Sequence, residues 1–272
     1  MSELQIGHEL TYGVVLCALG LFLFGIFFLP LVGFLKKNSM RIIRRIDDDS
    51  KFQLKSIDHR ILNTPLIALG QARAETRRMA SLSLQCLDET LLFLTDFDKR
   101  RVSNLKNMEE LLDRLQKEIM VFLVALSLKS ISEETSREIT SLMHLVNYLE
   151  RIGDQCEHLW RLEVRKLDQK IYFSQMATGE INELSARTRH FLFYVVDKIG
   201  GAGDKRQLQL QSMKMDAEIA ALESDLRHNH INRLHTGECA VLPGLIFIDM
   251  LYDFKLIGDY TFNLSEVIVG KK

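Results

Sequence analysis

An all-α fold built on a duplicated helical unit is what this sequence predicts, and three observations carry the prediction. Residues 142–159, LMHLVNYLERIGDQCEHL, recur as FIDMLYDFKLIGDYTFNL at 247–264. Setting Ile152-Gly153-Asp154 on Ile257-Gly258-Asp259 pairs Leu142 with Phe247, Leu145 with Met250, Leu149 with Phe254 and Leu159 with Leu264. These apolar positions alternate spacings of three and four, the period of a helix that buries one seam. A mid-helix glycine costs roughly 1 kcal/mol relative to alanine, so its recurrence at Gly153 and Gly258 implies a close backbone approach. The chain also has only 3 prolines in 272 residues, against abundant Leu, Glu, Lys, Arg and Met, which favours long helices over sheets. An apolar fraction of 47% supports a substantial core.

Taken in order, residues 1–11 read as a short extracytoplasmic N-terminus. Residues 12–35, YGVVLCALGLFLFGIFFLPLVGFL, carry no charge and are long enough, at about 1.5 Å per residue, for a membrane-spanning helix. Glu3 and Glu9 precede the run and Lys36, Lys37, Arg41, Arg44 and Arg45 follow it. That is the reverse of a secretory signal, and it sets the N-terminus outside and the remainder in the cytoplasm. The five basic residues then anchor at anionic headgroups. Residues 36–60 form the basic juxtamembrane segment and a polar linker.

Asn63-Thr64-Pro65 announces the first helix of the domain, with Thr64 as N-cap and Pro65 at the first helical position. It runs to the Thr95-Asp96 region; a second covers roughly 105–128, and a third starts at Ser132 and carries the first copy of the repeat. Residues 61–169 thus form one three-helix unit. Residues 170–272 form another, with helices at about 181–199, 207–234 and 242–269. Gly200, Gly201 and Gly203 break the first of these, and Asp216-Ala217-Glu218-Ile219 only loosely echoes the run that starts at Asp113.

A net charge of −1 gives no general case for nucleic acid. Cys17, Cys86, Cys156 and Cys239 are scattered, without a zinc spacing, and read as reduced apolar thiols. Glu150 and Asp154 lie one helical turn apart, flanked by Asn147, Arg151 and His158, on the face opposite the apolar seam. Two carboxylates and an amide there can supply part of a shell for a hard cation such as magnesium, manganese or iron. An Arg151–Asp154 pair on a solvated face is the plainer reading. In the second copy Asp259 matches Asp154, but Lys255 stands where Glu150 stood, and an ammonium opposes a cation. Asp249 and Asp253 form a further acidic pair. His228, His230 and His235 read as polar residues near a helix end. No histidine has a glutamate three residues before it, which removes the di-iron bundle pattern. The glycine run lacks the strand and Lys-Ser/Thr of a phosphate loop. No enzyme is expected.

The Glu150-Arg-Ile-Gly-Asp154 motif and its Ile257-Gly-Asp259 copy resemble the duplicated acidic motifs of PhoU-like domains. An apolar span, a basic turn and then Asp58-His-Arg-Ile-Leu-Asn-Thr-Pro-Leu-Ile-Ala-Leu-Gly-Gln-Ala-Arg73 resemble the carboxyl-terminal part of bacterial sodium/phosphate cotransporter family proteins. That resemblance implies one transmembrane helix followed by a PhoU-like domain of two antiparallel three-helix bundles. It also implies a metal at Glu150, Asp154 and Asp259, held in a membrane-anchored regulator of sodium-dependent phosphate transport. The transport repeats of that family are absent from this chain, so phosphate and sodium are implied only through a multi-span transport subunit. Expected partners are the lipid bilayer and that subunit or a second copy of the chain, in a single-pass inner-membrane location. The competing expectation is a membrane-tethered signalling scaffold that senses phosphate or metal status.

Overall fold

A computed structural model describes residues 59–201 and 203–271. Among them a 3-10 turn, His59–Asn63, precedes six helices: α1 Pro65–Thr95, α2 Lys99–Ser127, α3 Glu133–Asp168, α4 Gln175–Val196, α5 Lys205–His235 and α6 Val241–Val269. The starts are set by local chemistry. Asp98, Ser132, Ser174 and Asp204 each accept from an amide of the first turn they cap, Asp204 from both Arg206 and Gln207. The caps at Asp98 and Ser174 start α2 and α4 six residues earlier than apolar periodicity alone places them. Thr64 sits at the cap position of α1 with Pro65 behind it, but its hydroxyl donates back to the Ile61 carbonyl at 2.8 Å. Gly200, at φ +79°, and Gly270, at φ +86°, supply the left-handed conformations after α4 and at the end of α6.

Short connections make consecutive helices antiparallel neighbours. Helices α1, α2 and α3 pack on one another, as do α4, α5 and α6, and the two sets meet where α3 lies along α6 and α1 along α4. The repeated seam is the core: Leu142, Leu145, Leu149, Ile152 and Leu159 are buried on α3, and Phe247, Met250, Phe254, Ile257 and Leu264 on α6. The duplication extends into α1 and α4. Ser83 donates to the Leu149 carbonyl at 3.1 Å and Thr188 to the Phe254 carbonyl at 3.5 Å, each across a sequence separation of 66 residues. Small hydroxyl residues serve there because they let the helix backbones approach while satisfying their own polar groups. Cys86 and Cys156 are buried free thiols and Cys239 is a partly exposed one.

The expectation of a membrane-anchored chain is corrected here. Among the described residues no helix is long and apolar enough to cross a membrane. The most apolar, α6, carries Asp249, Asp253, Lys255, Asp259 and Glu266 along its length, and such charges have no place in a lipid-facing helix. The expected span at 12–35 and the basic cluster of Lys36, Lys37, Arg41, Arg44 and Arg45 lie outside the described residues.

Candidate metal centre

The acidic centre arises from one close helix contact. Gly153 lies on the buried side of α3, and a Cβ placed there would sit 2.7 Å from Leu112 Cδ1 on α2. Only a residue without a side chain allows this approach, and the next residue on each helix is an aspartate: Asp113 on α2 and Asp154 on α3. Glu109, one turn before Asp113, completes the group. One carboxylate oxygen from each of Glu109, Asp113 and Asp154 lies within 4.8 Å of the other two. The three could chelate a divalent metal, since an oxygen-only donor set of this charge suits a hard cation.

Electrostatics mark the same place. Burial first, then the Glu157, Asp113 and Asp154 carboxylates, raise the pKa of Glu109. Asp154 is raised by partial burial and by Asp113 and Glu157, against the opposing pull of Arg151 and a hydrogen bond from Glu150. Glu150 is pushed up to about 7, by burial first and then by Asp154 and Asp113. Carboxylates crowded in this way hold their protons or gain a counter-ion. The cation nearest to hand is Lys117, whose Nζ lies 2.9 Å from Asp113 Oδ2 but is largely exposed.

Asp154 therefore stands in the three-carboxylate group, Glu150 beside it one turn earlier, and Asp259 in the other half of the bundle. The neighbours of the first motif are engaged elsewhere. Asn147 Oδ1 accepts from Gln116 Nε2 at 3.2 Å, Arg151 lies over the Tyr260 ring at 5.6 Å, and His158 Nδ1 lies 2.7 Å from Asp253 Oδ2. The expected Arg151–Asp154 pair is replaced by that ring contact. Sequence reasoning missed Glu109 and Asp113 as site residues, because nothing along one chain says which face of α2 meets the motif. The available signal was their one-turn acidic spacing.

The second half repeats the architecture with different chemistry. A Cβ at Gly258 would lie 3.3 Å from Ile219 Cγ2 on α5, and Asp216 faces Asp259 closely enough that burial and that carboxylate raise its pKa. Here Lys255 donates to Asp259 one turn away. Its ammonium also opposes the rise of the Asp216 pKa. The cation of this half is part of the chain. Of the histidines, His230 is buried and stacked on Phe247, with ring centroids 4.4 Å apart. Burial and Arg233 lower its pKa, and it reads as part of the core.

The PhoU domain family matches residues 76–162, which span most of α1, all of α2 and α3 as far as Leu162. A curated relative, the phosphate-specific transport system accessory protein PhoU homolog 1 of Thermotoga maritima, is 21% identical over 200 residues, 72% of this chain and 84% of that protein. The crystal structure of PhoU from Pseudomonas aeruginosa superposes with a TM-score of 0.68 at 18% identity, covering 75% of this chain and 96% of that one. The phosphate transport system regulatory protein PhoU from Streptococcus pneumoniae gives 0.65 at 17% identity, covering 75% and 95%.

These findings correct the cotransporter assignment. They match PhoU proteins and show no sodium/phosphate cotransporter link, and nothing in them supports a lipid bilayer or multi-span subunit as partner or a single-pass inner-membrane location. The membrane-tethered scaffold loses its ground for the same reason. The relatives are described as an accessory and a regulatory protein, which agrees with the expectation of no enzyme. Its six described helices have the fold of the PhoU proteins.

Proposed function

We propose that this chain is a PhoU-like regulatory module acting on phosphate transport, with one divalent cation held between α2 and α3 by Glu109, Asp113 and Asp154. The observation that carries the metal reading is the convergence of three carboxylate oxygens from two helices within 4.8 Å. The regulatory reading is supported by the accessory and regulatory roles named for the relatives. Magnesium or manganese suits the all-oxygen set best, with iron as the remaining candidate. The cation would neutralise the crowded carboxylates and tie α2 to α3, changing the charge that this face shows to a regulatory partner. Glu150 stands next to the ligands and Asp259 belongs with Lys255, outside the site.

Phosphate uptake measured in cells with and without this chain tests the reading. Deletion changes uptake, and the wild-type chain restores it where an Asp113→Asn/Asp154→Asn variant of equal abundance does not. Uptake indifferent to deletion would refute the role in phosphate transport, whereas full rescue by the double variant would remove the metal from it.

A further inference from the structure

Away from the acidic face, a half-open cavity of about 910 Å³ is lined by α1, the first turns of α3, the end of α4, the start of α5 and the end of α6. That volume lies in the range of pockets that take small organic ligands, roughly 300–1,000 Å³, and far exceeds what a lone inorganic ion needs. Five cations line it, and three of them are already matched: Arg73 by Glu138, Arg137 by Glu133 and Lys198 by Asp197. Arg77 and Lys205 have no carboxylate at ion-pair distance among the described residues.

Both unmatched cations lie beside glycines. Gly200 has φ +79°, and a Cβ there would lie 3.0 Å from both Cδ and Nη1 of Arg77, so the arginine side chain rests on bare backbone. Lys205 Nζ lies 4.0 Å from where a Cβ of Gly270, at φ +86°, would sit. Of the lining carboxylates, Glu138 is held by Arg73, Asp204 by the Arg206 and Gln207 amides, and Glu134 is exposed. The lining also includes the buried Leu142, Leu145 and Leu208, together with Tyr194. Two cations outside any ion pair and buried leucines lining one cavity suit an anion with an organic body.

We propose that this cavity binds a phosphorylated organic anion of nucleotide size, its phosphates taken by Arg77 and Lys205 and its organic part lying along Leu142, Leu145 and Leu208. Titration calorimetry of the whole chain with ADP, adenosine and inorganic phosphate, in metal-free buffer, tests this independently of the acidic centre. ADP is expected to bind, and adenosine and phosphate to bind at least about tenfold more weakly. Arg77→Gln and Lys205→Gln each weaken ADP about tenfold, without lowering the melting temperature, because both side chains are exposed. Arg114→Gln, on the exposed side of α2, leaves binding unchanged. Absence of ADP binding at millimolar concentration, indifference to Arg77→Gln, or phosphate binding as tight as ADP overturns the proposal.

Discussion

Leu112 packs directly over Gly153, so that α2 and α3 approach more closely there than any residue with a side chain would permit. The same contact sets Asp113 beside Asp154, and the acidic centre is thus a consequence of a packing glycine. Gly153→Ala gains helix propensity worth about 1 kcal/mol but forces a methyl against the buried Leu112, an overpacking cost of roughly 1–3 kcal/mol. A net loss of about 1 kcal/mol is expected from urea unfolding, together with weaker manganese binding as the carboxylates separate. Gly258→Ala meets Ile219 at a more tolerable 3.3 Å and is expected within about 1 kcal/mol of wild type.

Lys255 supplies the second half with its own cation. In Lys255→Glu the new carboxylate joins Asp216 and Asp259 and the ammonium between them is lost, the arrangement that Glu150, Asp113 and Asp154 have in the first half. Metal-free unfolding should show a loss of about 1 kcal/mol from the broken pair and the new repulsion. Equilibrium dialysis against manganese should show the number of ions bound rise from one per chain to two. An unchanged count would mean that the second half lacks a usable geometry.

A buried carboxylate links the two halves. Asp253 on α6 is 1% exposed and hydrogen-bonded to His158 on α3, and burial lifts its pKa to about 6, with Asp249 adding to the effect and His158 opposing it. A carboxyl whose pKa is higher folded than unfolded takes up a proton on folding, so it favours the folded state at low pH. As pH rises from the ordinary value of 3.8 towards about 6, the unfolded chain ionises first and stability falls. Asp253→Asn removes that dependence. It should therefore be more stable than wild type at pH 7.5, by on the order of 2 kcal/mol, and nearly equal to it at pH 4. Parallel denaturation curves at the two pH values measure the difference.

The helical character, the repeated seam and the acidic turn at Glu150 and Asp154 could be read along the chain because each is periodic within one helix. Leu149 and Phe254 stand on equivalent sides of their bundles, as their alignment implies. What escaped was relational. Asp113 entered the reading only as part of a weak repeat, since its partnership with Asp154 depends on how α2 rotates against α3. The link between α1 and α4 was hidden because Ser83 and Thr188 share only small size and a hydroxyl. The apolar stretch at 12–35 directed the functional reading towards a membrane transporter family, whereas the similarity found lies in the bundle and points to PhoU proteins.

Manganese binding to the chain and to Asp113→Asn, followed by titration calorimetry at pH 7.5 after removal of resident metal, tests the central claim most directly. The expected result is one ion per wild-type chain, at least tenfold weaker binding in Asp113→Asn and an unaltered isotherm for Asp259→Asn. Equal binding by wild type and Asp113→Asn, or none by either, would contradict it.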